Sequence, residues 1–246
     1  MKRWHIGIIV ILLLVGTIGP VSAHHREGHT RGNSSGPVAG AALYPDLITL
    51  RPSNLYFDQV TMSDGLAHYV LRFDNTVANV GNGRVELEGK KRSKVYQNIY
   101  DAATGGNLAQ QIYIGNDSIF HEGHNHYHIE NFASYLLLKD GQATTKKGTK
   151  TSSCVMDIVR VQGSYNAQYT TCGREVQGLT VGWGDTYGAH LADQWIDLGT
   201  TPLADGNYTV QSTADPRNIL VESDDNNNTA WTCFTVQSRT ITIISC

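Results

Sequence analysis

Basic residues are not in excess in this sequence. Nineteen Lys and Arg stand against 22 Asp and Glu, a net charge of −3, which argues against a nucleic-acid partner. Charged residues make up only 17% and hydrophobic residues 40%, so the chain can build a core and is not a disordered tail. Long stretches rich in Ala, Leu, Glu and Lys are missing, which argues against a helical bundle. The four cysteines form no Cys-x-x-Cys pair, so the usual zinc and redox spacings are absent. No apolar run reaches the ~20 residues of a spanning helix; the longest, residues 6–18, is followed by Pro20. What is abundant is 25 Gly and 12 Tyr, with many Thr, Val and Asn. That composition leans towards strands and turns.

The apolar run follows Lys2 and Arg3 and precedes Val21-Ser22-Ala23, the pattern of a cleaved secretion signal over residues 1–23. Cleavage would leave 17 basic against 22 acidic residues, a net −5, with no membrane-spanning segment. A secreted, periplasmic or cell-surface location follows. In such a compartment Cys154, Cys172, Cys233 and Cys246 are expected to form two disulfides. Sequence order favours Cys154–Cys172 and Cys233–Cys246 among the three pairings that four cysteines allow. Each would contribute about 3 kcal/mol by loop closure.

Residues 24–40 are polar and Gly-rich, a flexible linker in which His24, His25 and His29 read as a solvated tail. Beyond them, short apolar runs alternate with turn residues. Residues 68–73 and 84–87 flank Asn79-Val-Gly-Asn-Gly83; residues 135–138 precede a hairpin turn at Lys139-Asp140-Gly141; residues 206–210 and 233–236 follow. The expected fold of residues 41–246 is all-β, a single antiparallel β-sandwich with long loops.

The sharpest feature is His121-Glu-Gly-His124-Asn-His126-Tyr-His128, which holds four of the ten histidines. His124, His126 and His128 are spaced by two, so on a strand their side chains share one face. On a helix they would splay around the axis. Three imidazoles on one face form a compact metal site that suits copper and zinc alike. Three protein ligands leave a coordination position open for water or substrate. A cupin metal motif is the rival reading, because Glu130 follows His126 by four residues. Its preceding Gly is Ser118 here, and the turn around Pro202 contains no His.

Four blocks in order make the chain resemble the catalytic domain of the lysyl oxidases, copper- and quinone-dependent amine oxidases. They are His124-Asn-His-Tyr-His128 with Phe132 and Tyr135-Leu-Leu137; Gly148-Thr-Lys150-Thr-Ser-Ser-Cys154; Asp185-Thr-Tyr187-Gly-Ala189 with Gln194-Trp-Ile-Asp197; and Glu222-Ser-Asp224 with Asn227-Asn228. Tyr44-Pro-Asp-Leu47, Leu71-Arg-Phe73 and Asn79-Val-Gly81 add to it, so the resemblance covers roughly residues 44–246. It implies copper on His124, His126 and His128. It also implies a lysine tyrosylquinone made from Lys150 and Tyr187, and a primary amine and dioxygen as substrates. The products would be an aldehyde, ammonia and hydrogen peroxide. A neutral lysine amine is needed for the cross-link, hence a depressed pKa or local desolvation. His121, Asp185 and His190 are the candidate bases.

The resemblance further implies a calcium site at Asp46, Leu47 (through its carbonyl), Glu222, Asp224, Asn227 and Asn228, oxygen donors of the type a hard cation prefers. Asn227-Asn228-Thr229 is also a glycosylation sequon. The chain departs from the family pattern where cysteines are expected: Gly123, Trp183 and Asp193 stand in their places. The competing classes are a non-enzymatic, metal-binding β-sandwich that binds copper or zinc or serves adhesion, and a cupin-like or hydrolytic zinc enzyme.

Overall fold

Buried and solvent-facing side chains alternate along the longest strand from Leu71 to Val77, the period-two pattern of a sheet with one face on a core. The same pattern recurs through the computed structural model. It describes residues 41–90, 94–103, 106–115, 118–150 and 154–246. The expected signal (1–23) and linker (24–40) lie outside the described residues.

In chain order the strands begin with β1 (Ala42–Leu43), β2 (Leu47–Thr49), β3 (Ser53–Thr61), β4 (Ala67–Asn79), β5 (Val85–Lys90) and β6 (Lys94–Asp101). They continue with β7 (Asn107–Tyr113), β8 (Ser118–His121), β9 (His126–Ile129), β10 (Ala133–Lys139), β11 (Gln142–Lys150) and β12 (Val159–Arg160). The last are β13 (Val176–Leu179), β14 (Trp183–Tyr187), β15 (Trp195–Gly199), β16 (Gly206–Ala214), β17 (Thr229–Gln237) and β18 (Thr240–Ile244). No helix occurs among the described residues, so none is long and apolar enough to cross a membrane.

One sheet runs β1-β6-β5-β13, with β7 also on β6; a second runs β11-β10-β16-β17-β18. A third is organised on β4, which pairs with β2, β3, β14 and β15, while β12 adds to β14. Among the described residues the β8-β9 hairpin pairs only with itself. All pairings are antiparallel. Both expected disulfides, Cys154–Cys172 and Cys233–Cys246, are formed.

The three sheets share one apolar core that includes Phe73, Val85, Tyr135, Leu137, Val210 and Phe234. The turn expected at Lys139-Asp140-Gly141 closes β10 onto β11, with φ of 49° at Asp140 and 77° at Gly141. Two consecutive left-handed residues give the twist that a tight hairpin requires. Two glycines admit the site elements. A Cβ at Gly89 would stand 2.0 Å from the Tyr127 ring, and one at Gly148 would stand 2.8 Å from the Trp195 carbonyl oxygen. The first bare position lets the histidine hairpin lie on β5; the second brings the Lys150 end of β11 close to β15.

Candidate active site

The β8-β9 hairpin sorts its residues by face. Phe120 pairs with Tyr127 across the strands, their rings 5.2 Å apart edge to face, and Ser118 pairs with Ile129. Tyr127 and Ile129 are in the core. Residues directly opposite in an antiparallel pair share a face, so the other face carries His121 opposite His126 and Ile119 opposite His128. Burial of the aromatic side therefore gathers the imidazoles on the opposite one.

His124 is not on a strand. The chain turns over residues 122–125, where Asn125 takes a left-handed φ of 58° and its N–H donates to the His121 carbonyl at 2.8 Å. Glycine and asparagine in that turn break the strand that the His-x-His-x-His spacing suggests. The turn nonetheless folds His124 back over the others. Its Nδ1 lies 3.1 Å from His128 Nε2, and its ring is 4.1 Å from His121 and 5.6 Å from His126. The ligand nitrogens of His121, His124 and His128 all lie within 4.8 Å of one another. His126 is buried, with its ring 5.0 Å from His128 and its Nδ1 3.2 Å from Cys172 Sγ. The structure thus gathers four imidazoles. His121 joins the cluster through hairpin pairing, a signal the sequence held in its place opposite His126.

Burial first, then the neighbouring imidazoles and Lys150, push His128 down to about 4. A neutral ring keeps a nitrogen lone pair available to a metal. A donor set of clustered imidazole nitrogens fits copper or zinc.

Tyr187 and Asp185 are two apart on β14 and so point to the same side. The buried Tyr187 hydroxyl donates to Asp185 Oδ2 at 2.6 Å, and Phe132 meets the tyrosine ring edge-on at 6.4 Å. Burial pushes Asp185 up to about 7, against the bond from Tyr187, a backbone N–H from Met156 and the Lys150 charge. Lys150 ends β11 opposite Ala133 and is itself buried. Its amine stands 5.2 Å from the centroid of the Tyr187 ring and donates to the Ala192 carbonyl at 3.4 Å. Burial holds that amine below the ordinary lysine range, while Asp193 and Asp185 act in the opposite sense. His190, the remaining candidate base, is exposed.

The segment after Tyr187 is held from β4. Arg72 Nη1 donates to the carbonyls of Ala189 (2.9 Å) and Leu191 (3.1 Å), its Nε pairs with Asp58 at 2.7 Å, and its guanidinium lies over Trp195. Asp74 accepts from the Ala189 N–H at 2.6 Å, and fully buried Gln194 accepts from the Tyr135 hydroxyl at 3.2 Å. Sequence reasoning missed the roles of Arg72 and Asp74, since contacts to backbone groups leave no motif.

The residues of the implied calcium site also meet. Asn227 Nδ2 donates to Asp46 Oδ1 at 2.9 Å, Asn228 Nδ2 donates to Glu222 Oε1 at 3.1 Å, and the Leu47 N–H donates to Glu222 Oε2. Asp224 Oδ1 instead accepts from its own turn, the Asn226 N–H at 2.9 Å. Asn228 Oδ1 is buried without a partner among the described residues. Burial pushes Glu222 up to about 8, with Asp215 and Asp225 adding to the rise.

The geometry defines a class: an antiparallel β domain with a cluster of imidazoles and a buried Lys–Tyr pair. The chain belongs to the lysyl oxidase family, whose profile, described as "Lysyl oxidase", matches residues 102–246. It is similar to human protein-lysine 6-oxidase, 37% identical over 111 residues, covering 44% of this chain and 26% of that protein. It is also 35% identical over 131 residues to human lysyl oxidase homolog 1, covering 52% of this chain and 22% of that protein. Against pig (Sus scrofa) protein-lysine 6-oxidase the identity is 36% over 111 residues, covering 44% of this chain and 43% of that protein. The matches therefore span less than half the length of each of these relatives.

Proposed function

We propose that this protein is a secreted copper amine oxidase that oxidatively deaminates primary amines, peptidyl lysine or small amines. It would give an aldehyde, ammonia and hydrogen peroxide. The observation that carries the reading is the Lys150 amine over the ring of Tyr187, 5.2 Å from its centroid. Family membership supports the same chemistry. Export is supported by the two disulfides, which persist in oxidising compartments.

His124, His126 and His128 would hold the copper, with His121 close enough to serve as a ligand alongside them or in place of one. When bound, copper and dioxygen supply the oxidation that turns Tyr187 into lysine tyrosylquinone with the Lys150 nitrogen, the electrophile for amines. The chain's own residues prepare and serve that group. Burial lowers the Lys150 pKa and so raises the fraction of neutral, nucleophilic amine at working pH. Asp185 Oδ2 takes the hydrogen bond of the Tyr187 hydroxyl and is the atom to which its proton passes. With a pKa of about 7, Asp185 both accepts and releases protons near neutrality, the requirement for a general base. It is the base we favour for removing the substrate α-proton, because His121 belongs to the imidazole cluster and His190 is exposed.

We also propose calcium between the segment at Asp46 and Leu47 and the loop carrying Glu222, Asp224, Asn227 and Asn228. Its support is the buried Asn228 Oδ1, without a partner among the described residues, on a side chain bonded to Glu222, with Asn227 bonded to Asp46; such oxygen donors suit a hard cation.

A redox-cycling quinone stain of the denatured, copper-loaded protein tests the main reading. Staining is expected from the wild type and lost in Lys150→Arg and Tyr187→Phe, and a joined Lys150/Tyr187 peptide should appear by mass spectrometry. An unstained, copper-loaded wild type would instead leave a non-enzymatic metal-binding β domain.

A further inference from the structure

The Lys150 amine has a defined resting place besides the Tyr187 ring. It donates to the Ala192 carbonyl at 3.4 Å, and the next residue, Asp193, supplies the strongest charge acting on it. Ala192 and Asp193 are both exposed, whereas Asp185 on the inner side is buried. The Ala192 carbonyl thus meets an amine that arrives from the core through β11, and it and the adjoining Asp193 are open to one arriving from solvent. They offer only hydrogen-bond acceptors, and a protonated amine offers only donors. Their backbone is fixed: Arg72 and Asp74 hold Ala189 and Leu191, and Gln194 is locked in the core.

We infer that the Ala192 carbonyl and the Asp193 carboxylate form an amine-docking subsite, filled by Lys150 in the precursor and by the amino group of the substrate afterwards. The inference rests on the amine oxidase reading for its second half. Lys150 vacates the subsite when its nitrogen is taken into the cofactor. The incoming amino group then stands where Lys150 stood, beside the Tyr187 ring. The ligand class is an unbranched alkylamine, free or as a lysine side chain, since a four-methylene chain ending in nitrogen already reaches the carbonyl. Asp193 is therefore a specificity-determining residue rather than a catalytic one.

Asp193→Asn tests this, because asparagine also tolerates the φ of 58° found there. Asp193→Gly, equally tolerant, guards against a folding defect in the first variant. In the metal-free protein, brief acetylation with acetic anhydride is read by mass spectrometry at Lys150 relative to Lys139. Lys150 should react about two- to fivefold faster in the variants, the effect of losing one exposed partner charge. In the copper-loaded protein the variants should keep the quinone stain while KM for pentylamine rises by about the same factor. An unchanged labelling ratio, or an unchanged KM in stained protein, overturns the subsite. Absence of stain from the wild type refutes the amine oxidase reading instead, and labelling then decides alone whether this pair holds an amine.

Discussion

Replacing Asp185 by asparagine should stabilise the metal-free protein at alkaline pH and disable it as an oxidase. The carboxyl is 3% exposed and burial raises it from 3.8 to about 7. Between those values the folded chain holds a proton that the unfolded chain has released. Stability therefore falls as pH rises across this window and levels off above pH 7. A shift of about three pKa units amounts to about 4 kcal/mol of lost stability above pH 7. Asparagine avoids that penalty while keeping an oxygen for the Tyr187 hydroxyl, and the value of about 7 already includes the bond from that hydroxyl. The gain above pH 7 is therefore up to about 4 kcal/mol, equivalent to roughly 8–16 °C in Tm for a domain of this size.

Thermal melts of wild type and Asp185→Asn from pH 5 to 9 measure the difference. The curves should diverge as pH rises towards 7 and run parallel above it. With copper, the same variant should lose about a hundredfold or more in kcat, the usual contribution of a general base. A Tm difference that is flat across the pH range would refute the argument, because it would mean that Asp185 ionises in the folded chain as it does in the unfolded one.

The other perturbations follow from contacts at the rim of the site. Replacing Cys154 and Cys172 together by serine should cost about 3 kcal/mol. It should also weaken copper binding in equilibrium dialysis, since Cys172 Sγ backs the His126 ring. Arg72→Ala should lower the yield of carbonyl-reactive cofactor per copper, and Arg72→Lys should not restore it, because one ammonium cannot reproduce the fork to two carbonyls and Asp58. Calcium at about ten times its Kd should raise the wild-type Tm by roughly 3–6 °C, from RT ln(1 + [L]/Kd) of ~1.4 kcal/mol. Glu222→Gln should abolish that rise.

How much of this was legible in the sequence depends on the kind of interaction. Asp140-Gly141 announced its hairpin because only left-handed residues fit such a turn. His126 and His128 were readable as one face because strand geometry is local. His124 followed a different rule: Gly123 and Asn125 make a turn, so its ring reaches the cluster by folding back rather than by alternation. His121 entered through cross-strand pairing, which needs the register of the hairpin. Lys150 and Tyr187 lie on strands of different sheets, and no local period relates them; only the family resemblance pointed to both. Arg72 binds backbone carbonyls and Ala192 presents one; every residue type possesses that group, so the partners in these contacts had no signature in residue identity.

That distribution bears on when the site can form. The imidazoles come from the β8-β9 hairpin, Lys150 from the end of β11, Tyr187 and Asp185 from β14, and the clamp on the following loop from β4. None of these elements is adjacent to all the others in sequence, and the hairpin pairs with no other strand among the described residues. Its placement rests on Tyr127 and Ile129 entering the core, which Gly89 permits. The lowered Lys150 pKa likewise exists only once β11 is packed. The buried Lys150 amine, the Tyr187 phenol with its hydrogen-bond acceptor, and the clustered imidazoles are therefore products of a completed core. On the proposed reading, folding must precede the chemistry between Lys150 and Tyr187, and the sheet architecture would give that chemistry its order.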